Sequence, residues 1–373
     1  MKKQLLLILI ILSLLIPSSV FAIDQNDISS HPQTDIYLFL QVYQYIKEAY
    51  PLEIEDKTLV ESALKGMLES IDPYSEYYTA EEAEILYSDV YGTFFGVGLY
   101  IEKSGDYIKV IDTIEGANAK RAGVLPNDLI VSIDGESTKD MTSSTAAIKI
   151  KGEKGTFVKL GIQREGITGL LQFEIQRDEV KINPVSFRII NDQIGYIKLT
   201  EFNKNADEEI SKALQQFDSM SIQKVILDVR NNPGGLLDQA IKVSRLFVSQ
   251  GPVVHIREKG KDLYTYYSGT KASKYQLVLL VNENSASASE ILTGAIKDRK
   301  AGIIVGNKTF GKGIVQSLIP LMDGGLVKLT TAEYLTPDQT RIHGIGIQPD
   351  IQIANTAEED LQLKKAVQLL SGK

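Results

Sequence analysis

The sequence predicts an α/β core in its second half, a mainly β segment before that core, and a helical region near the N-terminus. From Asn183 onward, short apolar runs alternate with amphipathic stretches, a pattern typical of parallel strands joined by crossover helices. Between about residues 91 and 178, short β runs are separated by Gly and Asn-Asp turn signals. Before that segment, apolar residues recur at helical spacing in three stretches.

The composition limits the classes of protein to consider. The chain has 373 residues, 43% of them hydrophobic, which is enough for two or three folded domains. Its net charge of -8 argues against nucleic-acid binding, because phosphate contacts require basic surfaces. It has no Cys and only three His, so disulfides and thiol catalysis are excluded and a zinc site is not expected.

Residues 1–22 have the pattern of a secretory signal peptide. Lys2 and Lys3 precede an apolar run from Leu5 to Ile16, and a small-x-small cleavage pattern ends at Ala22. We therefore expect the chain to work outside the cytoplasm, in the periplasm, in the cell envelope or as a secreted protein. If the signal is not cleaved, it would instead anchor the protein to the membrane.

Residues 23–90 are predicted to form a helical cap or a dimerisation arm. Helical spacing of apolar residues covers three stretches, Tyr37–Ala49, Thr58–Ile71 and Ala80–Asp89. Pro51 follows the first stretch and ends it.

Residues 91–180 are predicted to form a separate, mainly β domain. Turn signals separate five β runs and two short helical stretches, which are Leu99–Glu102, Tyr107–Ile111, Leu129–Ile133, Val158–Gln163 and Gln172–Gln176, with helices at Ala117–Ala122 and Thr142–Ile150.

Two motifs in this segment carry a resemblance to PDZ domains. Gly96-Val97-Gly98-Leu99 stands where PDZ domains have their carboxylate-binding loop, and Ala119–Ile130 matches their helix, glycine turn and buried strand. The resemblance implies that backbone N–H groups of the first motif bind the C-terminus of a peptide. The peptide would then add a strand to the edge of the sheet.

Residues 181–373 are predicted to form the α/β core. Its expected elements are strands at Ile194–Leu199, Val225–Asp228, Val253–Ile256, Leu277–Val281 and Ile303–Val305, with helices at Asp207–Phe217 and Leu236–Val248. After the second of these strands, Gly234 and Gly235 precede a helix. Exposed amides without a Cβ at such a turn suit an oxyanion site, although an ordinary strand-to-helix turn has the same pattern.

A cluster of small residues follows the strand at Leu277–Val281 and contains three serines, Ser285, Ser287 and Ser289. A strand, a tight turn and a helix place a nucleophile above a sheet, at a helix N-terminus with free N–H groups. The same pattern also occurs in helix caps. The residues alone do not choose among the three serines.

A serine nucleophile needs a base, and none of the three His lies in a setting that suits this role. Lys312 stands between two glycines, which permit a close approach of the backbone. An exposed lysine has a pKa of about 10.4, and burial away from water lowers it. In an extended segment Lys312 and Gln316 would share one face, so that the Gln316 amide oxygen could hold the amine.

Four stretches together resemble the carboxyl-terminal processing proteases, the tail-specific serine peptidases: Leu64–Tyr78, the PDZ-like segment, Arg230–Gly235 and Asn284–Ser317. The resemblance implies a crotonase/ClpP-like α/β protease core with an inserted PDZ domain, an N-terminal helical region and a C-terminal strand and helix segment. It implies no metal, nucleotide or organic cofactor.

The resemblance also assigns the site residues. Ser287 matches the family nucleophile, Lys312 its base and Gln316 the residue that orients the base. The implied oxyanion donors are the backbone N–H of Ala288 and that of Gly234 or Gly235. Ser285 and Ser289 become supporting or capping residues.

One departure from the family concerns the residue thought to sense bound peptide. Some members have an Arg-Gly pair after the second PDZ helix, and this chain has Lys151-Gly152. Lysine keeps the charge but lacks the planar fork of Arg. Lys151 is therefore a candidate sensor, and peptide-driven activation through it remains open.

The expected function is that of a serine endopeptidase, with a Ser-Lys pair, that cleaves proteins with exposed C-terminal tails. Its partners would be proteins or peptides with a free C-terminus, a second copy bound through the N-terminal helices, and an adaptor or regulatory protein. The alternative is a catalytically silent PDZ scaffold that binds C-terminal peptides. Crotonase-like thioester chemistry and a trypsin-like site fit the residues less well, since the former needs no Ser-Lys pair and the latter needs a His and an Asp.

Overall fold

The computed structural model describes residues 32–373, apart from residues 92, 272, 357 and 373. The predicted signal peptide lies outside these residues. The chain divides into two compact units, with the boundary after Leu64. None of the described helices combines the length and the apolar content that a bilayer crossing requires.

The first unit holds helix α1 (Pro32–Ala49) and most of helix α2 (Asp56–Glu69), so the two predicted helices are present and each begins earlier than expected. The turn between them is fixed by Lys47, whose amine lies 2.6 Å from the Asp56 carboxylate and donates to the Ile54 carbonyl at 2.8 Å. Along α1, several large apolar side chains are exposed: Ile36, Tyr37, Leu38, Phe39, Leu40, Val42 and Tyr45.

The second unit starts with strand β1 (Glu76–Tyr78) and helix α3 (Ala80–Tyr91) and continues into the PDZ segment. An antiparallel ribbon of β2 (Thr93–Gly96) and β9 (Asp178–Lys181) forms the entry and exit of that segment. Inside it lie the remaining elements: β3 (Leu99–Ser104), β4 (Tyr107–Thr113), α4 (Asn118–Ala122), β5 (Leu129–Ile133), β6 (Glu136–Ser137), α5 (Ser143–Ile150), β7 (Phe157–Gln163) and β8 (Leu171–Gln176).

The PDZ segment has its own sheet and core. The strand order is β3-β4-β5-β7-β8, with β6 paired to β5, so β3 is an edge strand. Fully buried apolar residues such as Val97, Ile108, Ile130 and Leu160 form the core. An open edge at β3 is the geometry that strand addition by a peptide requires.

The α/β core is built on a six-stranded sheet. Its strands are β10 (Val185–Ile190), β11 (Ile194–Leu199), β12 (Lys224–Asp228), β15 (Gln276–Val281), β16 (Ile303–Gly306) and β19 (Ile351–Gln352), in that spatial order. From β11 to β19 the strands are parallel, while β10 is antiparallel to β11.

Helices cover both faces of this sheet. Alternate strand residues, such as Ile197 and Leu227, join the core with helices α6 (Ala206–Ser219), α7 (Leu237–Phe247) and α8 (Ala288–Asp298). The intervening strand residues pack with helix α9 (Leu361–Ser371) on the opposite face. Burial on both faces explains the continuous apolar runs that predicted these strands.

A second sheet is antiparallel throughout. It contains β1, β13 (Gly251–Glu258), β14 (Tyr264–Ser268), β17 (Ile314–Pro320) and β18 (Leu326–Leu335), in the order β1-β18-β13-β14 with β17 paired to β18. The prediction of mostly parallel strands is therefore wrong for the run at Val253–Ile256, which lies in β13. Strands β17 and β18 were not predicted because most of their residues are half-buried and show no clear alternation.

A buried charge cluster joins the end of β12 to the start of α9. The carboxylate of Asp228 accepts hydrogen bonds from Tyr196 (2.7 Å), Lys198 (3.1 Å) and the Arg230 guanidinium, which also binds Asp360 at 2.7 Å. Burial alone would raise the pKa of Asp228, but the bonds to Arg230 and its neighbours hold that pKa below its ordinary value.

We expect Asp228→Ala to lower the free energy of unfolding by about 3 to 5 kcal/mol, because it leaves buried donors and cations without their acceptor. Urea denaturation measures the loss. The control is Asp238→Ala, which breaks a solvent-exposed pair with Lys242 and should cost less than about 1 kcal/mol. Equal losses in the two variants would contradict this account of the cluster.

Candidate active site

Ser287 stands between β15 and α8, immediately before the first residue of the helix. Its backbone has φ 53° and ψ −114°, a sparsely populated conformation for a residue with a Cβ. Such strain costs about 1 to 3 kcal/mol and persists only where the surrounding structure holds it. Ser287 lines a cavity of about 280 Å³.

The hydroxyls of the other two serines of the cluster are used in hydrogen bonds to the backbone. Both are fully buried, and their hydroxyls donate to backbone carbonyls, Ser285 to Val229 at 2.8 Å and Ser289 to Asn232 at 3.0 Å. Of the three serines, only Ser287 lines the cavity. The geometry therefore separates residues that the sequence pattern alone could not.

Lys312 lines the same cavity as Ser287. Its neighbours must be glycine, because a Cβ on Gly313 would lie 2.5 Å from the backbone N of His343, and Gly311 has φ 97°. Among the described residues, no carboxylate lies within ion-pairing distance of the Lys312 amine, and the ring centroid of Tyr74 lies 4.8 Å from it. Burial, with the nearby positive charge of Lys328, lowers the pKa of Lys312.

The buried carboxylate of Glu290 connects the serine and lysine segments. Oε2 accepts from the backbone N–H of Ser287 (3.0 Å) and of Lys312 (2.7 Å). Oε1 accepts from the Gly311 N–H (2.7 Å) and the Thr309 hydroxyl (2.6 Å). Burial raises the pKa of Glu290 and these four donors oppose the rise.

Tyr334 on β18 makes a second connection. Its hydroxyl lies between the carbonyl oxygens of Ser287, at 2.9 Å, and of Lys312. The ring is almost fully buried, and burial raises the pKa of the hydroxyl well above its ordinary value. Sequence reasoning missed Tyr334 because nothing in its local pattern distinguishes it from a core tyrosine.

Gln316 lines the cavity together with Lys312. Lys312 precedes β17, and a bulge in the register falls between Val315 and Gln316. Lys312 therefore lies outside the strand, and the expectation that it shares one face of an extended segment with Gln316 stays a prediction. The Gln316 amide nitrogen donates to the Thr330 hydroxyl at 3.3 Å, which leaves its oxygen as an available acceptor.

The backbone N–H groups at the cavity favour one of the two glycines, Gly235, as the oxyanion donor. The N–H of Gly234 donates to the Asn232 side chain at 2.9 Å, and the backbone packs so tightly that a Cβ on Gly234 would lie 2.8 Å from the Ser287 Cβ. Among the described residues, neither the Gly235 N–H nor the Ala288 N–H has an acceptor. Both residues line the cavity.

The predicted carboxylate-binding loop, Gly96 to Leu99, connects β2 to the edge strand β3. The Val97 carbonyl accepts from the Ala119 N–H at 2.8 Å, and a Cβ on Gly98 would lie 2.2 Å from that of Ala117. Lys151 lies beside the loop, since a Cβ on Gly96 would lie 3.8 Å from the Lys151 Cα, and its amine lies 5.0 Å from the ring centroid of Phe94 on β2. The structure therefore brings the candidate sensor next to the loop.

Comparison with known proteins gives three family matches: peptidase family S41 over residues 193–353, a PDZ domain over 88–163 and the N-terminal domain of the activating protease CtpB over 19–82. A carboxy-terminal-processing protease of Bartonella bacilliformis is 37% identical over 86% of this chain and 75% of that protein. A probable CtpA-like serine protease of Staphylococcus epidermidis is 35% identical over 95% of this chain and 74% of that protein.

A solved structure agrees with these matches. The photosystem II D1 C-terminal processing protease superposes with a TM-score of 0.50 at 31% identity, covering 84% of this chain and 86% of that one. The likeness supports the predicted protease core with its PDZ domain.

We expect Glu290→Gln to loosen the lysine segment, because an amide cannot accept from all four donors of the carboxylate. Hydrogen exchange at the Gly311 and Lys312 amides should become about tenfold faster or more, and the free energy of unfolding should fall by about 1 to 3 kcal/mol. Glu283→Gln is the control, since Glu283 is exposed and its carboxylate accepts from the Asn307 amide. Unchanged exchange in Glu290→Gln would refute the connecting role.

Proposed function

Because the chain belongs to the carboxy-terminal processing proteases of peptidase family S41, we propose that it is a secreted serine endopeptidase that cleaves proteins with exposed C-terminal tails. One observation carries the proposal. Ser287 and Lys312 line one cavity, and the backbone N–H groups of both residues bind the same carboxylate, that of Glu290.

In the proposed reaction Lys312 is neutral at rest. Ser287 Oγ attacks the carbonyl carbon of the scissile bond while its proton passes to the Lys312 amine. The protonated Lys312 then gives this proton to the leaving amine as the carbon–nitrogen bond breaks. Water attacks the resulting ester, Lys312 again accepts and returns a proton, and the new carboxyl terminus leaves with Ser287 restored.

Gly235 and Ala288 are the proposed oxyanion donors. Their N–H groups have no acceptor among the described residues and both residues line the cavity with Ser287. Donors held in place before the reaction stabilise the charge that develops on the carbonyl oxygen. Gly234, the third predicted donor, is better suited to supporting the turn, because its N–H is already bonded to Asn232.

Gln316 is the proposed orienting residue for Lys312. The bond from its amide nitrogen to Thr330 leaves the amide oxygen available to the amine. No hydrogen bond joins Gln316 and Lys312 in the described part of the chain, so the proposed contact would form on substrate binding.

The PDZ segment is proposed to bind the substrate C-terminus and to gate the protease, with Lys151 as sensor. The open edge of β3 and the loop from Gly96 to Leu99 support this role. The exposed apolar residues of α1 support a homodimer through the N-terminal helices, and an adaptor or regulatory protein remains a proposed partner. As a signal peptide, residues 1–22 would direct the chain out of the cytoplasm, and their cleavage would release the mature protein.

We expect Ser287→Ala and Lys312→Ala each to lower hydrolysis of an unfolded reporter, such as reduced casein, by at least about 10³-fold, because each removes a reacting group. Ser219→Ala, which changes an exposed serine on α6, should cleave like the unmodified protein. Full activity in Ser287→Ala would overturn the assignment. If no protein cleaves, with or without an added tail peptide, while tail peptides still bind, the PDZ-scaffold alternative gains support.

The pH dependence should identify the base. Since neutral Lys312 is the active form and burial lowers its pKa, kcat/KM should rise with pH along a limb that lies below the ordinary lysine value of about 10.4. The measurement is kcat/KM on a fluorogenic peptide from about pH 5 to pH 10. Activity that falls across this range would contradict a lysine base.

A further inference from the structure

A second lysine, Lys328 on β18, lines the cavity that holds Lys312. Its amine lies 2.7 Å from the Glu76 carboxylate and donates to the Tyr78 hydroxyl at 3.0 Å. Glu76 and Lys328 face each other across the antiparallel pairing of β1 with β18. The pair is thus built by a strand from the start of the second unit, far from Lys312 in sequence.

The pair differs from the many ion pairs on the protein surface. The Lys328 side chain is only 20% exposed, whereas that of Glu76 is 44% exposed, and the Glu76 carboxylate is also bonded to the Tyr78 hydroxyl. The register around it is fixed further by Ser75, whose hydroxyl accepts from the Thr330 N–H at 3.1 Å. A charge held in an enclosed position acts on its neighbours more strongly than a mobile charge in water.

Several elements place charged or titratable groups around Lys312 and Lys328. The segment before and within β1 contributes Asp72, Tyr74, Glu76 and Tyr78, strand β18 contributes Lys328 and Tyr334, helix α8 contributes Glu290, and the turn after β18 contributes His343. Glu290 binds the backbone of Lys312 rather than its amine.

The charges in this set oppose one another. Lys328 disfavours a proton on Lys312, whereas Glu76 and Asp72 favour it. Asp72 is itself bonded to the N–H groups of Tyr74 and Ser75. The protonation of the Lys312 amine therefore depends on where the pairing of β1 with β18 places the charges of Glu76 and Lys328.

We propose that Glu76 and Lys328 are positioning residues for the general base: β1 fixes the Lys328 charge at the cavity wall, where it adds to burial in disfavouring a proton on the Lys312 amine, and Glu76 limits that effect. This inference rests on the proposed role of Lys312. It assigns to β1 a part in the reaction although no residue of β1 reacts.

The test is the pH profile of kcat/KM on a fluorogenic peptide, with the full chain. Lys328→Gln removes the positive neighbour and leaves Glu76 unpaired, so the rising limb should move to higher pH by about one unit, equivalent to about a tenfold loss on the limb. Glu76→Gln leaves the positive charge less compensated and should move the limb the opposite way. Lys328→Arg keeps the charge and should keep the limb in place, even if kcat falls.

The matched controls are Lys242→Gln and Asp238→Asn, which change the exposed pair on α7 and should leave the profile unchanged. A fall in rate at all pH values without movement of the limb in Lys328→Gln and Glu76→Gln would mean a purely structural role and would overturn the inference. If Lys328→Gln does not fold, Glu76→Gln still provides the test. A rising limb at lower pH than in the unmodified protein supports the inference, and an unmoved limb overturns it. Ser287→Ala in the same assay tests the proposed function separately. If it is inactive while the limbs do not move, only the inference about Glu76 and Lys328 fails; if it is active, the proposed function fails.

Discussion

The four hydrogen bonds to the Glu290 carboxylate are the constraint on which the candidate site depends. Ser287 follows a strand of the parallel sheet, whereas Lys312 precedes a strand of the antiparallel sheet. The shared carboxylate links these two segments from separate sheets, and the Tyr334 hydroxyl and the bond from the Phe310 N–H to the Ser285 carbonyl add to that link. A buried carboxylate is costly unless its oxygens are satisfied, and here satisfaction requires the N–H groups of both segments at once. The contacts that stabilise the buried carboxylate are therefore the same contacts that hold the serine and lysine segments together.

The same logic extends to the strained backbone at Ser287. A residue with φ 53° and ψ −114° would relax if its neighbours allowed it. The Glu290 carboxylate holds its N–H, the Tyr334 hydroxyl holds its carbonyl, and Gly234 packs against its Cβ. These contacts fix the backbone of Ser287, and the residue lines the same cavity as Lys312.

The sequence predicts those parts of the molecule whose residues repeat with a clear period or follow a family motif. Strands buried on both faces, such as Leu277–Val281, are found from composition alone, but the half-buried strands β17 and β18 are not. The register shift between Val315 and Gln316 has no local signal in the sequence. Ser287 was chosen through the resemblance, and the bonds of Ser285 and Ser289 now give a physical reason. Glu76 and Lys328 lie too far apart in sequence for any local pattern to pair them.

The pairing of β1 with β18 also changes how the chain divides into parts. The antiparallel sheet takes its edge strand from residues 76–78, before the PDZ segment, and its other strands from after it. The PDZ segment is therefore an insertion within the protease core, and its ends leave side by side through the ribbon in which Thr93 pairs with Lys181. Because the two ends of the insertion are adjacent, another domain whose termini lie close together could replace it. The strands of the protease core would then keep their present connections.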